Sequence, residues 1–528
     1  MEQDKKASGW GDWRLPVILL FLAVVVAVAA LFAHNALTSK TPWINHDVAF
    51  HSYLGFELLH GSRLYVDIKD SNPPGAQFLL GGLIGLADLL GLPDFLINHL
   101  FVLAIGVAGL FVLRMTLREP QDALPFVLSA LAYLLVVVRG NFSNNLFATA
   151  PQIPYDFGQR EHLFSLLFFP YVVLRITGRK PAAAAWPWLA GVGFVSMFKP
   201  YWPLMVGMVE VFSWTRRERR LPSTAAALAL GMLLPFAVLL LHSVDSFVQF
   251  FTVLLPLHAA GGYTHYDTTY SGFFKSSLHV QIVVGVVIFL ACSLWAWTRS
   301  RLQRADIVLM AAIVAGCYLS MVHQHKFWSY HAMTLFASVA LFSALAISAA
   351  AIRLDSGRAE KSIAIGVMVV LLLLGAAGIA NLQRMLERSP PPGDHMVQLI
   401  EGREKVMFFS MSADYTYAPL LLRMPSVGAW TAHFELPALL DIPDPAARDR
   451  ELGSYAAALT KEIDEQLPEM LLFAPSRQAL PPGEVLHEIL RRHGVVPRSD
   501  YRRIPEVVLQ ARDPRLQGWI VYSRERVP

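Results

Sequence analysis

WINHDVAFHSYLGFELLHGSRLYVDIKDSNPPG, residues 43–75, decides how this chain is read. It is polar, acidic and rich in histidine, and it directly follows an apolar run at 15–33 long enough to cross a bilayer. A simple anchor has no need of His46, Asp47, His51, Glu57, Asp67, Lys69 and Asp70 in that place. Charges beside a membrane are costly unless water, a partner or a ligand satisfies them. The stretch reads as the front of an active site at a membrane surface.

The composition around it agrees. Of 528 residues, 55% are hydrophobic and only 16% charged, with mean hydropathy +0.44. Soluble domains carry about 25% charged residues, so the chain is an integral membrane protein. The net charge of +4 is small, and the basic residues gather in short loops. They report topology rather than a nucleic-acid partner. Cys292 and Cys317 lie inside apolar runs, which excludes a disulfide framework and a cysteine-based metal site.

Apolar runs of spanning or near-spanning length occur near 15–33, 96–113, 123–138, 162–176, 183–198, 201–214, 222–241, 279–298, 305–322, 327–349 and 361–380. Lys5, Lys6 and Arg14 precede the first, which exceeds the roughly 7–15 residues of a signal-peptide core and reads as an uncleaved span. The other basic clusters are RMTLRE (114–119), RITGRK (175–180), TRRERR (215–220), TRSRLQR (298–304) and IRLDSGRAEK (352–361). All fall on one side if the chain crosses about eleven times, with a cytoplasmic N-terminus and an external C-terminus. GAQFLLGGLIGLADLLG (75–91) then reads as a juxtamembrane or re-entrant helix on the outer face. The stretch 183–214 reads as two spans, broken where Pro200 disfavours continuation of the helix before Lys199.

The outer segments are therefore 34–95, 140–161, 199–200, 242–278, 323–326 and everything after about 381. The last is soluble in character. Strand-like EKVMFFS (404–410), EMLLFAP (469–475) and GWIVYS (518–523) alternate with helical stretches near 451–466 and 484–493. The expected architecture is an α-helical polytopic membrane protein with a small C-terminal α/β extracytoplasmic domain. Residues 1–384 form the membrane module, with outer loops 34–95, 140–161 and 242–278, and 385–528 form the soluble domain. No Gly-rich nucleotide fingerprint is present.

Within the opening stretch, Asp47 and His51 stand one turn apart if 45–60 is helical. A carboxylate there can accept or polarise the proton of a sugar hydroxyl. Asp47 also suits the N-cap of that helix. Gly61 would end the helix, and Asn72-Pro73-Pro74-Gly75 forces a rigid turn into the next one.

An acidic residue just after the first span, then LLHGSRLYVDIKDSNPPG (58–75), resembles the opening of the GT-C superfamily of membrane glycosyltransferases. The similarity is to the branch containing protein O-mannosyltransferases and lipid A aminoarabinose transferases. It rests on Asp47, Gly61, Tyr65, Asp67, Pro73 and Pro74, and covers about the first hundred residues. Beyond them only the layout matches. The resemblance implies a polyprenyl-phosphate sugar donor, transfer on the outer or luminal face, and a catalytic role for Asp47. His46, His51, Tyr65 and Asp67 are then candidate substrate contacts.

Two further outer clusters join them. PYDFGQREHLF (154–164) holds Asp156, Arg160, Glu161 and His162 at the mouth of a span. Asp156 or Glu161 would serve as the second acidic residue that the family often has, and an interfacial Arg–Glu pair explains the cluster equally well. In HQHKFWSYH (323–331), His323, Lys326 and Tyr330 share a face if the segment is helical. Cations and hydroxyls there suit a lipid-linked phosphate, with Lys199 added, although snorkelling lysines and interfacial aromatics also account for such a pattern. His323 and His325 diverge on a helix with no adjacent acid, so the spacing does not support a metal site; a divalent ion at Asp47 and Asp156 stays open. No cofactor is expected. In the loop 242–278, an apolar stretch meets Gly261-Gly262 and a Tyr/His/Thr-rich tip, the make-up of a lid or of a plain interfacial loop, with Lys275 nearby.

The function expected is an inverting glycosyltransferase of the bacterial plasma membrane. It moves a sugar from a polyprenyl-phosphate donor to a lipid, polysaccharide or protein acceptor of the cell envelope on the periplasmic side. Its partners are donor, acceptor and membrane lipids, without nucleic acid. Two other classes stay open. A transporter or flippase would place ionisable groups near the bilayer midplane and show repeated halves. A non-catalytic partner in envelope polysaccharide assembly would tolerate loss of Asp47.

Overall fold

The apolar run after Trp13 forms a 25-residue helix, α1 (Arg14–Thr38). The polar stretch that follows forms α2 (His46–Leu59) and the run after Pro74 forms α3 (Gly75–Leu90). Next come α4 (Asp94–Thr116), α5 (Ala123–Arg139), α6 (Arg160–Thr177), α7 (Trp186–Ser196), α8 (Trp202–Arg216) and α9 (Pro222–His242). The short α10 (Val244–Gln249) continues as a π-turn, Phe250–Leu254. Then follow α11 (Tyr270–Phe274), α12 (Ser277–Arg299), α13 (Arg304–His323), α14 (Met333–Ala351) and α15 (Gly357–Arg388). The computed structural model describes residues 13–70, 72–139, 156–178, 185–216, 222–256, 269–299, 303–324, 326–351, 357–388, 391, 393–410, 414–425, 427–428, 436–440, 442–475, 486–495 and 499–524.

Among these residues seven helices are long and apolar enough to cross a membrane: Arg14–Thr38, Asp94–Thr116, Thr224–His242, Ser277–Thr298, Arg304–His323, Tyr330–Ala351 and Ile365–Glu387. The other four apolar runs are helical too. α5, α7 and α8 are 17, 11 and 15 residues long, and α6 carries Arg160, Glu161 and Arg175. At 1.5 Å per residue α7 reaches only about 16 Å. The break after it falls at the expected place, with residues 197–201 outside any helix and Pro200 among them.

The chain divides into two compact units. The first comprises Met1–Asn45, Leu92–Pro235 and Thr268–Ser389. The most enclosed of the seven long apolar helices is α14, which packs against α5, α6, α12 and α13. Helices α12 and α15 leave Val284, Val287, Val369 and Leu373 exposed, as helices facing lipid do. Gly193 and Gly231 bring α7 and α9 into backbone contact, since a Cβ on either would meet the partner helix's backbone.

The second unit comprises His46–Gly91, Phe236–Asp267 and Pro390–Pro528. Its sheet has the order β1-β2-β4-β3, with strands β1 (Val406–Phe409), β2 (Met470–Phe473), β3 (Tyr501–Arg503) and β4 (Ile520–Arg524). β1 and β2 are parallel, with Val406 opposite Met470, and β4 runs antiparallel to β2 and β3. Strands covered on both faces read as continuous apolar runs, and VMFF and MLLF are such runs. Met407, Phe409, Leu471 and Phe473 pack on one face with Leu459 of α19 (Pro445–Gln466) and Leu490 of α20 (Leu486–Arg492). Val406, Phe408, Met470 and Leu472 pack on the other with Leu399 of α16 (Asp394–Ile400) and Leu509 of α21 (Glu506–Arg512). The two short helices α17 (Tyr417–Leu421) and α18 (Leu436–Leu440) complete it.

In the same unit α2 and α3 meet at Gly55 and Gly81. A Cβ on Gly55 would stand 2.7 Å from the Cα of Gly81 and 2.8 Å from the carbonyl of Gln77. Only glycine allows two helix backbones that close.

Candidate active site

Asp47 lies in the first turn of α2, where the helix dipole favours a negative charge. Its side chain is 19% exposed, and its Oδ1 stands 3.3 Å from Nε2 of His46. It is thus a partly exposed carboxylate just before the buried stretch Val48–Glu57 of the helix.

One turn on, His51 turns into the protein. Its Nδ1 stands 3.9 Å from Oδ2 of Asp70, both side chains being enclosed. Asp70 is the hub of this loop. It accepts from the backbone N of Asn72 at 3.1 Å and from Asn72 Nδ2 at 2.7 Å, and it bonds the amide of Gln77 on α3. Asp70 is buried, and its turn follows a local sequence pattern: an Asp accepting from the amide two residues on is an Asx-turn.

The other two candidates of the loop are engaged. Tyr65 is fully buried with a positive φ of 72°. Its hydroxyl donates to the carbonyl of Asn72 at 2.6 Å, and its ring lies 5.0 Å from that of Phe250. Asp67 is gripped by Arg63, whose Nε and Nη2 both donate at 2.9 Å and whose backbone N donates at 2.8 Å. Those bonds hold the Asp67 carboxyl below the usual aspartate range. Arg63 also reaches Asp245 at 3.1 Å. Both residues help to close the loop in this structure, Tyr65 from the core and Asp67 with its side chain 42% exposed.

In the first unit the N-terminus of α6 gathers the second cluster. Asp156 is buried, and Gln159 donates to it at 3.4 Å and to Asn45 at 3.0 Å. His162 is held as a neutral ring: Gly158 N donates to its Nδ1 at 3.0 Å, and its Nε2 bonds the carbonyl of Val136 at 2.8 Å. Glu161 forms an ion pair with Lys199. Lys199 comes from the turn between α7 and α8, and its Nζ also donates to Gln324 at 3.4 Å and lies 5.4 Å from the ring of Tyr330.

The third cluster adjoins it but differs from the helical face expected. α13 ends at His323, which is exposed, and Phe327 has a positive φ of 48°. Residues after it are not α-helical until Met333, so the spacing of His323, Lys326 and Tyr330 does not place them on one helical face. Tyr330 is buried in a 3-10 turn, Ser329–Ala332, and Lys326 Nζ lies 6.0 Å from the ring of Trp328. His325 lies outside the described residues, as do Gly261, Gly262 and the rest of the tip 257–268.

Sequence reasoning missed His331. It is buried, it packs edge-on against Tyr330 at 4.4 Å, and its Nδ1 has no hydrogen-bond partner among the described residues. Lys199 lies beside Tyr330 and Lys326 beside Trp328, the two rings that pack on His331, and Glu161 is the acid paired with Lys199. Such a grouping is suited to an anion. Among the described residues no three His, Cys, Asp or Glu side chains gather as a metal site.

No protein-family model matches the sequence, and no curated protein does. Solved structures do match. ArnT from Cupriavidus metallidurans, bound to undecaprenyl phosphate, is 15% identical and superposes with a TM-score of 0.53, over 87% of this chain and 93% of that one. An Archaeoglobus fulgidus oligosaccharyltransferase tethered to an acceptor peptide is 11% identical over 89% and 70% of the chains, with a TM-score of 0.45. The arabinofuranosyltransferase AftD from Mycobacteria is 15% identical over 96% and 40%, with a TM-score of 0.46. At these identities the likeness concerns the fold, and the fold of this chain is that of the GT-C membrane glycosyltransferases.

Proposed function

We propose that the chain is an inverting glycosyltransferase that takes a sugar from a polyprenyl-phosphate donor and passes it to a hydroxyl of a lipid, polysaccharide or protein of the cell envelope. The observation that carries this reading is the enclosed Lys199–Glu161 pair beside Tyr330 and His331, with Lys326 on the neighbouring Trp328 ring, in a membrane protein of GT-C fold. A departing lipid phosphate gains negative charge as its bond to the sugar breaks, and preorganised cations stabilise that change. That a GT-C structure holds undecaprenyl phosphate supports the same donor class.

In the proposed step the acceptor oxygen bonds to the anomeric carbon from the face opposite the phosphate. The carbon–oxygen bond to the phosphate breaks, and its electron pair leaves with the lipid phosphate. The acceptor proton passes to the Asp47 carboxylate. Arg160, Lys199 and Lys326 hold the leaving phosphate, with Tyr330 and His323 as further donors. The site belongs on the outer side of a bacterial plasma membrane, with the N-terminus in the cytoplasm and residues 385–528 as an external domain.

The test is sugar transfer in detergent from synthetic polyprenyl-phosphate sugars, read as product and free polyprenyl phosphate. Asp47→Asn is expected to lower turnover by about 10²- to 10⁴-fold, the range of general-base catalysis, with the protein still folded. Full transfer by that variant overturns the mechanism. Wild-type protein that moves labelled lipid across vesicles yet transfers no sugar overturns the reading as an enzyme.

A further inference from the structure

The turn that closes α17 does something its backbone resists. Arg423 has a positive φ of 54°. The amide of Met424 reaches back to the carbonyl of Pro419 at 2.9 Å, and that of Arg423 to Leu420 at 3.2 Å. This is the left-handed ending of a helix, where glycine is the usual residue because a side chain is strained there. A residue other than glycine kept in this conformation points to a role for its side chain.

The side chain meets the helix carrying Asp47. The Arg423 guanidinium pairs with Asp88 of α3 at 2.8 Å and lies 5.5 Å from the ring of Phe56 of α2. The hydroxyl of Tyr53, also on α2, donates to the carbonyl of Met424 at 3.2 Å in a buried bond. α17 and the 3-10 turn Asp414–Thr416 pack along α2. All of these residues belong to one unit, so the sheet-bearing C-terminal part and the pair α2–α3 form a single body.

We infer that the C-terminal part braces α2, and that Arg423 is a positioning residue for Asp47, acting through Phe56, Tyr53 and Asp88. Asp47 sits in the first turn of α2, so a helix free to tilt carries the carboxylate with it. The inference deepens the proposed function in one respect: it assigns the C-terminal part a role in aligning the acceptor-activating group.

Arg423→Gly in the full-length protein separates this role from a merely structural one. Glycine suits φ 54°, so the turn itself is relieved rather than broken. Hydrogen exchange, which reports local opening, is expected to quicken in His46–Leu59 while Val406–Phe409 and Met470–Phe473 keep their protection. Turnover for sugar transfer is expected to fall by about tenfold at unchanged KM for the donor, because small misplacements of reacting groups are costly. Arg423→Lys, which keeps the charge, should recover part of both.

Unchanged exchange in α2 overturns the brace. Faster exchange with undiminished turnover overturns the positioning role. If the wild-type protein transfers no sugar, the proposed function fails, and the exchange comparison still decides the brace.

Discussion

Lys199 and Glu161 form an ion pair in which both side chains are enclosed, 9% and 2% exposed. The lysine comes from the turn broken by Pro200 and the glutamate from the first turn of α6. Removing one partner of such a pair leaves an uncompensated buried charge, at a cost of about 3–5 kcal/mol. Glu161→Gln is therefore expected to lower the thermal unfolding temperature in detergent clearly. Under the proposed function, added polyprenyl phosphate supplies the lost negative charge, so it should raise the melting temperature of Glu161→Gln more than that of the wild type. An equal shift in both would show that the phosphate does not reach Lys199.

Gly55 of α2 and Gly81 of α3 set the distance between the two helices, and Gly82, next to Gly81, makes a controlled comparison. A Cβ on Gly55 meets backbone at 2.7 Å and 2.8 Å, whereas a Cβ on Gly82 meets nothing within 4 Å. Gly55→Ala forces the helices apart and is expected to destabilise the protein by about 1–3 kcal/mol, as overpacking does. Gly82→Ala exchanges a poor helix former for the best one and is expected to gain up to about 1 kcal/mol. Thermal unfolding of both variants checks this. Equal losses from the two would mean that helix propensity, not the close approach, governs the pair.

What the residues disclosed in advance follows the reach of each signal. Apolar runs become helices because the pattern is local, and the break at Lys199-Pro200 and the end of α2 at Gly61 are where proline and glycine put them. The strands around Val406, Met470 and Ile520 were legible for the same reason. β3, only Tyr501–Arg503, is too short and too charged to announce itself, since Arg502 and Arg503 are exposed. The face shared by His323, Lys326 and Tyr330 failed because the helix ends at His323 and Phe327 then takes a left-handed backbone without being glycine.

The candidate site was legible in its membership more than in its pairings. Lys199 and Glu161 do meet, but nothing in their spacing says that they are partners across 38 positions of sequence. Tyr65 and Asp67 matched a motif, yet the first serves the core with Phe250 and the second a loop closed by Arg63. The packing of 414–424 on α2 joins segments more than 350 residues apart. Such contacts depend on shape complementarity, which periodicity does not encode.

The C-terminal part carries its own pH dependence. His487 is buried at the start of α20, with Nε2 3.0 Å from the hydroxyl of Tyr522 on β4 and Nδ1 3.1 Å from Glu488. Burial pushes its pKa below the ordinary histidine value, against the opposing pull of the Glu488 carboxylate. The folded state thus favours the neutral ring more than the unfolded chain does. Its contribution is fully present above the unfolded value, about 6.5, and is lost as pH falls from there through the lower folded value. Hydrogen exchange of Met470–Phe473 and Ile520–Arg524, corrected for the intrinsic pH dependence of exchange, is expected to quicken between pH 7.5 and pH 5. His487→Gln cannot take up the proton and should flatten that trend. An equally steep trend in the variant would assign the pH sensitivity to other groups and leave His487 a packing residue between α20 and β4.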